Sequence, residues 1–304
     1  MSDPQEPSVS DSDLDAKTSD SHCTVVGIGA SAGGITALKN LFQHMPSDSS
    51  MAFVVIVHLA HDHHSTLAAI LQSSTLMPVL EVTETLRVEP DHVYVIPPGK
   101  YLEMLDGEIR LAERTEVRGV RVPIDMFLRT LADAYGRNAI CVILSGSGSD
   151  GTLGLKRVKE AGGIAIAQAP DDAEYDSMPR SAIATDLVDL IFPASQIPEK
   201  LIALKRTADR LQRDGEKVSD EKIPSQDSVR EITSLLRART GHDFSSYKQP
   251  TVLRRIARRV QVHELEAINE YVDFLRSHPE EVEALLADLL ITVTDFFRDK
   301  EVFE

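Results

Sequence analysis

Between Thr24 and Phe192, short β-branched apolar runs take turns with segments of helical periodicity. The runs are TVVGI, MAFVVIV, AICVIL, GGIAIA and LVDLIF. Helical segments over 34–45, 65–74, 124–135 and 152–161 lie between them. Runs this short and this apolar are buried on both faces, and helices in the gaps supply the crossovers that parallel strands need. The expected fold class is therefore α/β, a doubly wound and mostly parallel sheet. A hydrophobic content of 42% is enough for such a core. One stretch differs. In HVYVIPPGKYLEMLDGEIRLAE two alternating runs flank Asp106-Gly107, a hairpin signal. We expect a β-hairpin inserted near an edge or end of the sheet.

Two other compositions flank this segment. Residues 1–22 are polar and acidic, too poor in apolar surface to offset the entropy of ordering, and read as a disordered tail. With no basic start and no apolar run, the tail is not a secretion signal. After Pro198 an amphipathic helix decays into a charged linker, placed at 206–225. From 226 onward helical periodicity replaces strand patterns. DSVREITSLLRARTG, PTVLRRIARRVQVHEL, AINEYVDFLRSH and PEEVEALLADLLITV read as four helices, stopped by Gly241 or opened by Pro250 and Pro279. The expected domains are α/β over 23–205 and a small all-α helical domain over 226–291, with 292–304 beginning something further. The formal net charge of -16 argues against nucleic acid. No apolar run reaches the ~20 residues that span a bilayer, so membrane insertion is not expected. Cys23 and Cys141 sit in apolar runs and read as buried thiols of a reducing cytoplasm.

The stretch TVVGIGASAGGITALKNLF admits two chemistries. Gly27, Gly29 and Ala32 match the G-x-G-x-x-G/A pattern of dinucleotide sites. Ser31 also lies where a strand turns into a helix, a place that exposes a reactive hydroxyl. A dinucleotide site needs a carboxylate at the end of the second strand. Here that strand ends in His58. An imidazole there can take a proton from Ser31, and Asp150, at the end of the strand AICVIL, can orient it. Backbone N–H groups of Ala32 and of the 146–148 loop, Ser147 among them, can hold an oxyanion. The plainer alternatives are helix capping for Ser31 and Asp150 and a hydrogen-bonded core histidine for His58. The run HLAHDHH (His58, His61, Asp62, His63 and His64) raises a metal site, but nothing elsewhere completes the ligand set, so no metal is expected.

The set GIGASAGG, the strand ending in His58, VYVIPPGK, GSDGTLGL with AGG, and MPRSAIA resembles the catalytic domain of the chemotaxis protein-glutamate methylesterase, the CheB type. The resemblance covers residues 23 to about 205. It implies a serine esterase, without cofactor, acting on glutamate γ-methyl esters of chemoreceptor cytoplasmic helices, with receptor glutamine as a second substrate. It assigns Ser31, His58 and Asp150 as the catalytic serine, histidine and aspartate. Ala32 and Ser147 stand where the family often has threonine and methionine. The family's N-terminal receiver domain is replaced by the short acidic tail, so control by its phosphorylation is not expected. Residues 226–304 resemble the start of the CheR-type receptor methyltransferase, in LRARTGHDFSSYKQPTVLRRIARRV and LLITVTDFFRD. No glycine-rich loop for S-adenosylmethionine follows, so methyl transfer and that cofactor are not expected, and the chain reads as a truncated fusion. Arg298 matches a methyltransferase position. Arg254, Arg255, Arg258 and Arg259 form the one basic cluster, read either as a solvated helix face or as a docking face for an acidic receptor bundle. A catalytically weak receptor-binding scaffold, with other signalling proteins as partners, is the alternative function.

Overall fold

The computed structural model describes residues 23–58, 66–112, 122–216, 226–245 and 247–291. Its centre is a seven-stranded sheet in the order β10-β9-β8-β1-β2-β5-β3. These strands are β1 (Thr24–Ala30), β2 (Met51–Val57), β3 (Val79–Glu81), β5 (Val93–Val95), β8 (Ala139–Ile143), β9 (Ile164–Gln168) and β10 (Leu190–Phe192). Every pairing between them is parallel. Each run expected as a strand contains one, and β3 and β5 add two strands that their shortness hid.

β1 is buried on both faces, and its two faces differ. Val26, Ile28 and Ala30 join the core beneath α1 (Gly34–His44), α2 (Leu67–Gln72) and α6 (Ile197–Glu216). The opposite face carries Val25, Gly27 and Gly29 and lies under α3 (Pro123–Tyr135), α4 (Thr152–Ala161) and α5 (Ser177–Ile183). A Cβ on Gly27 would stand 2.9 Å from Leu128 Cδ2, and one on Gly29 would stand 2.5 Å from Ile124 Cγ2. Both glycines are thus explained by the close approach of α3 to β1.

The hairpin forms as expected but not in the main sheet. β6 (Tyr101–Leu105) and β7 (Glu108–Ala112) pair antiparallel, and β4 (Leu86–Arg87) completes a separate three-stranded sheet. Leu102, Met104 and Ile109 join the same core as α3. The Met104 N–H donates to Thr130 Oγ1 at 2.9 Å. The hairpin is therefore a layer over α3, because its apolar face is too large to leave at a sheet edge.

The helical region contains α7 (Gln226–Thr240), α8 (Gln249–Val262), α9 (Ile268–Ser277) and α10 (Pro279–Leu290). Gly241, at φ 77, ends α7. Their core includes Ile232, Leu236, Ile256, Val260, Tyr271, Leu285 and Leu289. The linker expected at 206–225 is corrected in its first half. α6 stays helical to Glu216, and Leu211 packs against the helical core, so apolar spacing outweighed the charge between. The tail at 1–22 and residues 292–304, with Arg298, lie outside the described residues. Cys141 is buried in β8, where desolvation pushes its thiol up to about 12, whereas Cys23 is only half-buried.

Candidate active site

The sheet order reverses around β1: the chain runs from β1 to β2 on one side and later places β8 on the other. The C-terminal ends of strands at such a reversal open into a crevice. Ala30 is paired with Val57, so Ser31 and His58 are the next residues beyond the last matched pair. Ser31 leaves the strand in a tight turn. Its N–H donates to Ser145 O at 2.9 Å, and its carbonyl accepts the N–H of Gly34 at 2.9 Å. The N-cap of α1 is Gly33, at φ 69, and no side chain caps the helix. The Ser31 hydroxyl is therefore not spent on capping.

Asp150 is 8% exposed, and its Oδ2 lies 3.2 Å from His58 Nε2. The N–H axis of Nε2 is not aligned on that oxygen, and this buried nitrogen has no well-formed hydrogen bond among the described residues. The contact has the distance of an ion pair without the linearity of a hydrogen bond, as in many unliganded active sites. The aspartate does cap a helix, but not its own. Oδ2 accepts the N–H of Ile124 at 3.0 Å and Oδ1 that of Asp125 at 2.9 Å, at the start of α3.

Two backbone N–H groups near Ser31, those of Ala32 and Ser147, have no acceptor among the described residues. The Gly146 N–H is taken by Tyr175 O at 2.9 Å, which removes it from the candidate oxyanion donors. Gly146 permits the crowding here, since a Cβ on it would fall 2.1 Å from Met178 Sδ and 2.9 Å from Ser31 Cβ. The supports of this turn were not legible as site residues. Ser145 is fully buried. Its Oγ donates to Ala32 O at 2.8 Å and accepts from the Tyr175 N–H at 3.0 Å, and its own N–H reaches Gln168 Oε1 at 2.8 Å. Asp125 is likewise buried, and its Oδ1 accepts the N–H of Gly154 at 2.7 Å. Only its place in the first turn after Pro123 marked it, as it would mark any helix start. Of the histidine-rich run, residues 59–65 lie outside the described residues, and among those described no cluster could hold a metal ion.

The arginine cluster is corrected. Arg254 is exposed, but Arg255, Arg258 and Arg259 are 4%, 3% and 8% exposed. They are neither a solvated face nor an open docking face, because α8 packs them against the α/β domain. Arg255 donates to Lys159 O at 2.8 Å and Glu160 O at 2.9 Å, and Arg258 to Gly163 O at 2.8 Å. Arg258 also pairs with Asp189 and Asp288, and Lys159 reaches Asp189 at 2.6 Å and Asp288 at 3.2 Å. Arg259 Nε donates to Glu281 at 2.7 Å. Carbonyls at the end of α4 and just before β9 in the α/β domain thus meet guanidinium groups of the helical one.

Comparison with known proteins agrees with this architecture. Residues 26–201 match the family model of the CheB methylesterase, and residues 227–290 that of the CheR methyltransferase all-alpha domain. The crystal structure of the Thermotoga maritima CheB methylesterase catalytic domain superposes with a TM-score of 0.56 at 33% identity, covering 60% of this chain and 98% of that one. A protein-glutamate methylesterase/protein-glutamine glutaminase of Pyrococcus horikoshii is 32% identical over 58% of this chain and 49% of its own length. An uncharacterised 104.1 kDa protein of Rhodobacter capsulatus is 34% identical over 78% of this chain and 27% of its own length. The chain thus spans a quarter to a half of these two relatives. A seven-stranded parallel sheet and a family-model match over more than half of the chain lead to one conclusion: this chain belongs to the CheB methylesterase family, with a CheR-type all-alpha domain joined on its C-terminal side.

Proposed function

We propose that the α/β domain hydrolyses γ-methyl esters of glutamate side chains on chemoreceptor helices, releasing methanol. The observation that carries this reading is His58 Nε2 at 3.2 Å from Asp150, with Ser31 and His58 next beyond the paired ends of β1 and β2, in a chain of this family. Ser31 Oγ attacks the ester carbonyl. His58 accepts its proton through Nδ1 and returns it to methoxide. Asp150 sets the tautomer and stabilises the imidazolium. The N–H groups of Ala32 and Ser147 hold the oxyanion. Water then attacks the acyl-enzyme, His58 again moving the proton, and a glutamate carboxylate leaves. Glutamine deamidation is the same acyl transfer with ammonia departing, and relatives named as glutaminases support it. A protein substrate is supported by the rim of the crevice. Ile35, Leu153 and Tyr175, on the segments that flank it, are 37%, 56% and 47% exposed.

The test is methanol release from a methyl-esterified receptor cytoplasmic fragment. Ser31→Ala should fold and lose on the order of 10⁴-fold in turnover. Equal release from both proteins would dismiss the triad. No release from either, with both folded, would favour a receptor-binding scaffold.

A further inference from the structure

We propose that Asp125 is a positioning residue for this chemistry, acting through Asp150; the inference rests on the triad reading above. α3 and α4 exchange capping carboxylates. Asp150, just before α4, accepts the first N–H groups of α3, from Ile124 at 3.0 Å and Asp125 at 2.9 Å. Asp125, in the first turn of α3, accepts the Gly154 N–H of α4 at 2.7 Å. Neither helix is capped by its own N-cap side chain, since Val122 and Gly151 supply none. Each helix start therefore depends on a carboxylate from the other, and the N-terminal dipole ends hold both.

The exchange requires close approach. A Cβ on Gly154 would lie 2.6 Å from Leu128 Cβ and 3.0 Å from the Asp125 carbonyl oxygen. It is also costly. Burial, with the neighbouring Asp150 charge added, raises the Asp125 carboxyl above its usual range against the N–H groups that lower it. No described basic side chain pairs with Asp125, which is 5% exposed. What the arrangement secures is the plane of the Asp150 carboxylate. Oδ1 is tied to the Asp125 N–H, and Oδ2 is left between the Ile124 N–H and His58. Without its acceptor on Asp125 the start of α4 is free to shift, and Asp150 with it.

Steady-state methanol release by the full chain tests this. Asp125→Ala should lower kcat about 100-fold at unchanged KM, the scale of a ~1 Å misplacement, while Asp125→Asn, which keeps an acceptor oxygen, should recover most of that loss. In an Asp150→Asn background, Asp125→Ala should cost less than ~3-fold more, since a residue acting through Asp150 has nothing left to position. Wild-type kcat in Asp125→Ala, a change confined to KM, or a full multiplicative loss in the Asp150→Asn background would overturn the proposal. Should Asp125→Ala fail to fold, Asp125→Glu, which displaces the acceptor by one methylene, must lower kcat, and full activity there would overturn it. Ser31→Ala run alongside separates the two failures: if it turns over, the triad itself is wrong, whatever Asp125 does.

Discussion

Gly29 shows how closely packing and chemistry are bound at single positions. Its missing side chain lets Ile124 sit where a Cβ would be 2.5 Å away, and the N–H of that same Ile124 holds Asp150. Overpacking of this kind costs about 1–3 kcal/mol. Gly29→Ala should lower unfolding stability in urea by that amount and reduce methanol release with it. Wild-type stability would mean that α3 does not press on β1 as closely as described. The glycine spacing that suggested a dinucleotide cradle is thus a packing requirement. Ser145 makes the companion point. One buried hydroxyl ties the turn after β1 to the Tyr175 segment, and nothing in its sequence neighbourhood separates it from the exposed Ser147 and Ser149.

At the scale of elements, the hairpin β6–β7 is a locally determined unit in a tertiary setting. Asp106 and Gly107 take φ 50 and 78, the left-handed pair that matches the twist of the strands. A Cβ on Gly107 would meet nothing within 4 Å. Gly107→Ala therefore carries only backbone strain, about 1 kcal/mol, and should lower the melting temperature slightly without touching kcat. A large loss of activity would show that the hairpin layer reaches the crevice through α3. α4 plays a broader part. Its first turn receives Asp125, and its last turn offers the Lys159 and Glu160 carbonyls to Arg255. One ten-residue helix joins the crevice to the second domain.

Across the whole molecule, the buried charges between domains set an acid limit. Burial opposes ionisation of Asp189, but Arg258 and Lys159 overcome it and hold the carboxyl down to about 2. Glu281 is also held to about 2, as hydrogen bonds from His263 and Arg259 outweigh burial. A carboxyl depressed in the folded state contributes stability above its unfolded pKa, near 4, and loses it as the pH falls through the folded value. Stability followed by circular dichroism should thus be flat above about pH 5 and fall steeply toward pH 2. Arg258→Ala, which leaves buried Asp189 and Asp288 mainly to Lys159, should cost about 3–5 kcal/mol at neutral pH and shrink the acid-dependent portion. An unchanged acid profile would place the limiting groups elsewhere.

Five of the seven strands of the main sheet, the helices between them at 34–45, 65–74, 124–135 and 152–161, and the four C-terminal helices were legible in the sequence, because a continuous apolar run or a 3.6-residue apolar period is a local property of the chain. So was the place of Ser31 and His58 just beyond the ends of two neighbouring strands. The sequence could not say what three of the four clustered arginines face. A guanidinium on a helix has the same local signature whether it meets water or Asp189, and only the docking of α8 on the end of α4 decided it. The placement of the hairpin over α3, the continuation of α6 past 205 and the exchange of Asp125 and Asp150 between helices share that cause. Each depends on a partner distant in sequence, the two aspartates being 25 residues apart, and only folding brings such partners within reach.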